Sequence, residues 1–259
     1  MALIDGVDPR LSRLRRQRRM DVVNNSVIAV ICARGGSKGL LRKNLRHLNG
    51  EPLVVRAIRH AKSAKSVDTV LVTTDDESIA KLSLEAGAEV PFLRPPEVSG
   101  DLATTEETLK HALLTYEAMS GRMFEIAVFL TATDIFREPE WIDEAVYRLI
   151  DRPDLESVFS GHQTHKNFWE QCSDGSWRRL RDWMAIYSSR QIRVPIIRED
   201  TGLVCASRAW LWREGRRIGD KVDILVNNDD FTSIDIHQEE DLMLAEAAIH
   251  IRKILKTDG

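Results

Sequence analysis

Three short apolar runs constrain this chain more than anything else in it: "VIAVICA" at 27–33, "TVLVTTDD" at 69–76 and "IAVFLTAT" at 126–133. Each is apolar nearly throughout instead of alternating, which is the pattern of a strand buried on both faces. Helical patterns fall between and after them. "LVVRAIRHAKSA" at 53–64 turns its cations to one side. "DESIAKLSLEAGAEV" at 76–90 opens with acids and reaches Gly87 where a helix should stop. The stretch 104–118 opens with threonine caps and Glu106 and Glu107, and "PEWIDEAVYRLI" at 139–150 carries Pro139 near its start. Strand alternating with helix predicts an α/β fold, a mostly parallel sheet with helices on both faces. A short strand at 90–93 and a closing strand and helix over 232–255 complete the expected elements. Ligands on such sheets bind beyond the carboxyl ends of the strands, and Arg34, Asp75, Asp76 and Asp134 all fall at or just past such ends.

The loop after the first run is the most unusual segment. In "ARGGSKGLLRKN", Gly35, Gly36 and Gly39 come with Arg34, Lys38, Arg42 and Lys43, and no acid is among them. One glycine suffices for a turn. Several glycines with several cations suit a loop whose backbone N–H groups approach an anion while side chains neutralise it. The spacing is neither GxxxxGK[ST] nor GxGxxG, which removes the P-loop and the dinucleotide fingerprint.

Composition narrows the remaining classes. The chain has 259 residues, 43% hydrophobic and 30% charged, which suits a single globular domain at 26–259 preceded by a basic extension at 1–25. A net charge of −3 argues against a dedicated nucleic-acid binder, although six arginines crowd between Arg10 and Arg19. No apolar run is long enough to cross a membrane. Three widely spaced cysteines, Cys32, Cys172 and Cys205, form no CxxC and suit a reducing cytoplasm; with Trp141 they are expected in the core. From about 151 to 200 the strand–helix rhythm is lost in polar sequence studded with tryptophans. This segment reads as an insertion covering the site or making a subunit contact.

The motif "ARGGSKGLLRKN" resembles the signature of the cytidylyltransferases that activate sialic acids and related keto-deoxy sugar acids. The similarity continues at "VLVTTDDESIA", "GAEVPFLRPPEVSGDLATTEETL" and "SIDIHQEEDLMLAE", covering roughly 26–254. The resemblance implies a Rossmann-like nucleotidyltransferase fold, CTP and a keto-deoxy sugar acid as substrates, pyrophosphate release, Mg2+, and a homodimer made through the insertion. It assigns Arg34, Lys38 and Lys43 to the triphosphate and the leaving pyrophosphate. Ala33, Gly35, Gly36, Ser37 and Asn44 fall on the nucleotide side, and Ala103, Thr104 and Thr105 near cytosine. Both threonines are equally suited to cap a helix.

Two departures concern the acceptor and the metal. Relatives of this type carry a glutamine where Thr131 stands and a serine where Asp134 stands. In "RQIRVPIIREDTGLV", Arg190, Gln191 and Gly202 match an acceptor-facing segment and Thr201 replaces an asparagine. The usual terminal-strand aspartate pair is here Asp235 and His237. Magnesium prefers oxygen donors, so Asp235 is the expected ligand and Asp134 the candidate to replace the missing carboxylate; the other reading of Asp134 is a turn cap before Pro139. Asp75 and Asp76 read as N-cap residues. His162 and His165 either line the sugar pocket or sit on the surface. Three functions remain open: this cytidylyltransferase reaction, transfer of another nucleotide to another sugar, and nucleotide binding without turnover.

Overall fold

The structure, a computed structural model, describes residues 26–186, 189 and 191–257. The arginine-rich leader and Arg190 lie outside the described residues. The first strand, β1 (Val27–Cys32), runs into the glycine loop, and a small hairpin follows, β2 (His47–Leu48) and β3 (Glu51–Pro52). Helix α1 (Leu53–Ser63) leads back to β4 (Thr69–Thr73), then come α2 (Glu77–Glu85) and α3 (Thr105–Ser120). Strand β5 (Ile126–Thr131) and helix α4 (Pro139–Asp151) complete the regular part, followed by β6 (Ser157–Thr164). A second hairpin, β7 (Trp169–Gln171) and β8 (Trp177–Arg179), precedes β9 (Ile196–Glu199) and β10 (Cys205–Arg208). The short α5 (Ala209–Arg213), β11 (Val222–Asn227) and α6 (Glu239–Thr257) close the chain.

The central sheet has seven strands in the order β11-β6-β10-β5-β1-β4, with β9 added on β6. It is mostly parallel: β4, β1, β5, β6 and β11 share a direction, while β10 and β9 run against their neighbours. The apolar runs explain this placement. In β1, Val27, Ala29 and Ile31 join one buried cluster with α1, α4 and α6, and Ile28 and Val30 join another with α3 and α5. Each of the valines and isoleucines contributes roughly 1.5–3 kcal/mol by leaving water, so the sheet needs helices on both faces.

Helix boundaries follow local chemistry. Asp76 caps α2, accepting from the N–H groups of Ser78 and Ile79, as expected. Thr104 and Glu107 form a reciprocal capping box on α3, which ends at Gly121 with φ 69°.

Four expectations change. Segment 90–93 is not a strand; one parallel bridge, Leu71 to Glu89, is all that pairs there before Pro91 removes a donor. The closing segment is a 3₁₀ turn and one antiparallel bridge, Asp134 to Asp235, not a strand. Strand β6 is a central strand with Ser157–Ser160 fully or nearly buried, so the sheet continues past 151. The irregular part is the β7–β8 hairpin and its flanks. Cys205 is buried and Cys32 partly so, but Cys172 sits by the β7–β8 turn, where its N–H bonds Ser176, and is not part of the core.

Candidate active site

The glycine loop leaves β1 held at three points. Ala33, itself fully buried, donates its N–H to Thr73 O at 3.1 Å. Gly35 N–H donates to Asp75 Oδ1 at 2.8 Å, and buried Asn44 donates Nδ2 to Arg34 O at 2.8 Å. A Cβ on Gly35 would lie 2.7 Å from Asp76 Oδ2, so the loop's approach to the α2 cap requires glycine there. Asp75 therefore anchors the loop and Asp76 alone caps the helix. Arg42 holds a left-handed φ of 52° ahead of a 3₁₀ turn at Lys43–Leu45, a strained geometry for a side chain of its size. The result is that the N–H groups of Gly36, Ser37, Lys38 and Gly39 meet no protein acceptor among the described residues. Successive unpaired amides of this kind form an anion-binding concavity.

That loop is one wall of a cleft of about 600 Å³, a size suited to a small ligand. Arg34, Ser37, Lys38, Lys43 and Asn44 line it on the loop side, and Ala103, Thr104 and Thr105 on the other. Thr104 thus serves both as helix cap and as cleft wall. Asp101 spans the two sides, meeting Arg34 Nη1 at 3.1 Å and Lys38 Nζ at 2.8 Å; Lys38, and then Arg34, hold its carboxyl below the usual range. Burial lowers the Lys43 ammonium against the pull of Asp235 and Asp134. Cys32 lies at the cleft floor with its thiol pushed up to about 12 by burial, so it stays protonated.

At the end of β5, Thr131 Oγ1 donates to Asp134 Oδ2 at 2.5 Å, and Thr131 N–H donates to Gly202 O at 3.0 Å. Asp134 does not cap α4, whose N-cap is Glu138; its backbone forms an antiparallel bridge with Asp235. Burial, and then the charge of Asp235, push the Asp134 carboxyl up to about 6. Asp235 Oδ2 lies 2.8 Å from His237 Nε2, while its Oδ1 is buried with no partner. Two neighbouring carboxylates, one with an orphaned oxygen, fit a hard cation that finishes its coordination with phosphate and water oxygens. No cluster of three metal-ligating side chains occurs among the described residues. Gly202 packs so closely that a Cβ would fall 1.9 Å from Asp134 Oδ2. Thr201 beside it is buried. Gln191 is exposed and lines neither this cleft nor the cavity beyond it.

That further cavity, of about 800 Å³, is lined by His162, His165, Lys166, Arg193, Arg198 and Asp230 among others. Arg198 grips Asp200 through two bonds of 2.7 and 2.8 Å, and the charge of Asp200 also acts on Asp134. The two histidines line this cavity.

Sequence reasoning missed Arg94, Asp101 and Arg137. Arg94 is buried, lines the cleft and lies 3.9 Å from Asp75. Arg137 donates to the carbonyls of Thr131, Gly202 and Leu203, fastening β5 to the loop before β10. Asp101 was within the quoted "DLATT" and its acid among so many cations was the available signal. Nothing local in the sequence marks Arg137.

A family model described as cytidylyltransferase matches residues 28–229, which include the loop, the cleft walls and β6 to β11. The chain belongs to the cytidylyltransferase family. It is 36% identical over 149 residues to the N-acylneuraminate cytidylyltransferase A of Danio rerio, a stretch covering 58% of this chain and 33% of that protein. It is 36% identical over 120 residues to the CMP-N,N'-diacetyllegionaminic acid synthase of Legionella pneumophila, covering 46% of this chain and 51% of that one. The chain therefore spans only a third to a half of these relatives. A solved CMP:2-keto-3-deoxy-manno-octonic acid synthetase in complex with CTP superposes with a TM-score of 0.62 at 15% identity, over 88% of this chain and 99% of its own. That likeness extends to the fold, a nucleotidyltransferase sheet. No helix among the described residues is long and apolar enough to cross a membrane.

Proposed function

We propose that this chain transfers the cytidylyl group of CTP to the anomeric hydroxyl of a sialic-acid-like or octulosonic keto-deoxy sugar acid, releasing pyrophosphate. The observation that carries this reading is the run of unpaired amides at Ser37, Lys38 and Gly39, set with Arg34, Lys38 and Lys43 across the cleft from Ala103–Thr105. The names of the relatives and the second, basic cavity support the acceptor class. A carboxylate on the sugar would suit Lys166, Arg193 and Arg198 there, and its hydroxyls His162 and His165. Arg190 lies outside the described residues, so the acceptor reading rests on the others.

In this reading the amides and Lys38 hold the β- and γ-phosphates, and Asp101 gives up its two cations when the nucleotide enters. The acceptor oxygen bonds to the α-phosphorus as it loses its proton, and the bond to the β-phosphate oxygen breaks. Charge then accumulates on departing pyrophosphate, where Arg34, Lys38 and Lys43 neutralise it. Thr104, Thr105 and the backbone at Ala103 offer hydrogen bonds to a base edge, and Arg94 adds a buried donor. Asp235 and Asp134 would hold Mg2+, which withdraws charge from the phosphates when bound.

The three free cysteines suit the cytoplasm. Exposed Trp169, Trp177, Ile192 and Val194 on and after the β7–β8 hairpin offer a second copy an apolar face, as the expected homodimer requires. The testing experiment is a screen of CTP with magnesium against a panel of keto-deoxy sugar acids, reading CMP-sugar by mass spectrometry, with ATP, GTP and UTP in parallel. Pyrophosphate release with every panel member absent, or no CMP-sugar from any of them, would overturn the reading.

A further inference from the structure

The cleft chemistry leaves one concentration of positive charge unused. The loop 132–138 has two sides: Ala132 and Thr133 wall the large cleft, and Ile135 to Glu138 wall a separate cavity of about 220 Å³. Arg56, His60, Arg137, Glu138, Arg252 and Lys253 line it with apolar residues between them. Four of those six are permanent cations and one is an acid.

Neighbouring acids neutralise part of this charge. Arg56 lies 3.6 Å from Glu51, and Arg252 pairs with Glu138 and Asp229. Arg137 differs, because its Nε and Nη2 donate only to backbone carbonyls. Carbonyls satisfy the N–H groups without cancelling the charge, part of which the nearby Asp134 carboxylate offsets. His60 is the second irregularity. Its side chain is 7% exposed, it lines the cavity, and its Nδ1 is buried with no partner. Buried polar atoms without partners are uncommon in native folds. Burial, and then the guanidiniums of Arg137, Arg59 and Arg56, push this imidazole down to about 3, so the ring is neutral, and in the tautomer with its proton on Nδ1 that atom is a donor toward an anion. Helix α4 begins at the same wall with no side chain capping its N-terminus, which adds partial positive charge.

We propose that this cavity binds a small multivalent oxyanion of the phosphate class, separately from the triphosphate cleft. At about 220 Å³ it is smaller than the ~300–1,000 Å³ usual for larger ligands, which excludes a nucleotide. Arginine forks match phosphate oxygens in pairs, and a multivalent anion offsets more of the surplus than a monocarboxylate does. The bound anion would tie α1 and α6 to the loop that carries Asp134.

The test titrates inorganic phosphate into the full chain by calorimetry at constant ionic strength, against chloride. Lys38→Ala serves as the background, to weaken binding in the large cleft. One saturable phosphate site is expected in Lys38→Ala, weakened roughly tenfold or more when Arg56→Gln is added, since a charged hydrogen bond is lost. No saturable binding in Lys38→Ala, or equal binding in the double variant, overturns the proposal. The imidazole proton resonances of His60 give a readout independent of Arg56: they should shift with the same saturation as the heat in the Lys38→Ala chain, and unchanged resonances at saturating phosphate would refute the site.

Discussion

Gly39→Ala tests the contact that sets the glycine loop against the metal-side turn. A Cβ at this position would lie 2.4 Å from the carbonyl oxygen of His237, about 1 Å inside ordinary contact. The φ of Gly39 is not in the left-handed region, so alanine adopts the backbone without strain and the effect is the collision alone. A backbone carbonyl cannot swing aside as a long side chain can. Either the loop bearing Lys38 or the turn bearing Asp235 must move by about 1 Å. Displacements of that size between reacting groups cost on the order of 10² in rate. Overpacking costs roughly 1–3 kcal/mol in a core, and the low end applies at this exposed position. The assay measures kcat for CMP-sugar formation, CTP affinity by calorimetry and the urea midpoint on one preparation. Turnover should fall about 10²-fold, with the midpoint changed by about 1 kcal/mol or less. Gly36→Ala, whose Cβ meets nothing within 4 Å, controls for the stability effect of a methyl on the loop. Wild-type kcat in Gly39→Ala would refute the argument that loop and turn are held in register by this contact.

Other expected outcomes are more direct. Lys38→Ala should lower turnover by ~10²–10³ through loss of one electrostatic contact to departing pyrophosphate, which a rate at saturating CTP checks. Asp134→Asn and Asp235→Asn should each raise the magnesium needed for half-maximal turnover, and the double variant should be no worse than the poorer single one, because both act on one ion; additive losses would separate their roles. Stability should fall with pH below about 6.5 because of His60, whose folded imidazole is held down to about 3 by burial and by Arg137, Arg59 and Arg56. Between those values the unfolded chain binds a proton that the folded chain refuses, which costs up to about 1.4 kcal/mol per pH unit. In urea unfolding between pH 4 and 7, His60→Leu should show a shallower slope than wild type, and an equal slope would exclude His60 as its source.

The legible parts of this protein were those written in contiguous residues. The three apolar runs became β1, β4 and β5 because a strand buried on both faces has no polar positions to spare. Asp76 and Thr104 were readable as caps from their immediate neighbours. The glycine loop stood out because its cations had no acid within the motif. The acid that does pair with them, Asp101, sits 63 residues after Lys38 and is joined to it only by the fold. Asp134 was suggested as a neighbour of Asp235, and the two form a backbone bridge, yet its side chain is held by a bond to Thr131 and the bare backbone of Gly202. The segment 90–93 misled because its apolar content matches a strand, while Pro91 and the edge position of β4 allow only one bridge. The charge of Arg137 was invisible, since its partners are carbonyls, which every residue has.

The reversed direction of β10 has a consequence for how this protein can change. A strand entering the sheet beside β5 from the opposite end delivers its preceding loop, Thr201 to Val204, to the place where β5 ends. The large cleft is built from the loop after β1, the connection from α2 to α3 and the end of β5, and the second cavity from β6, β9 and their connections. Selection can therefore rewrite the segment between β6 and β10 while the glycine loop stays untouched. Transplanting residues 165–200 from a relative that uses a different sugar should transfer the acceptor preference and leave the choice of nucleotide where it was, so that the chain behaves as a fixed donor half fitted with an exchangeable acceptor half.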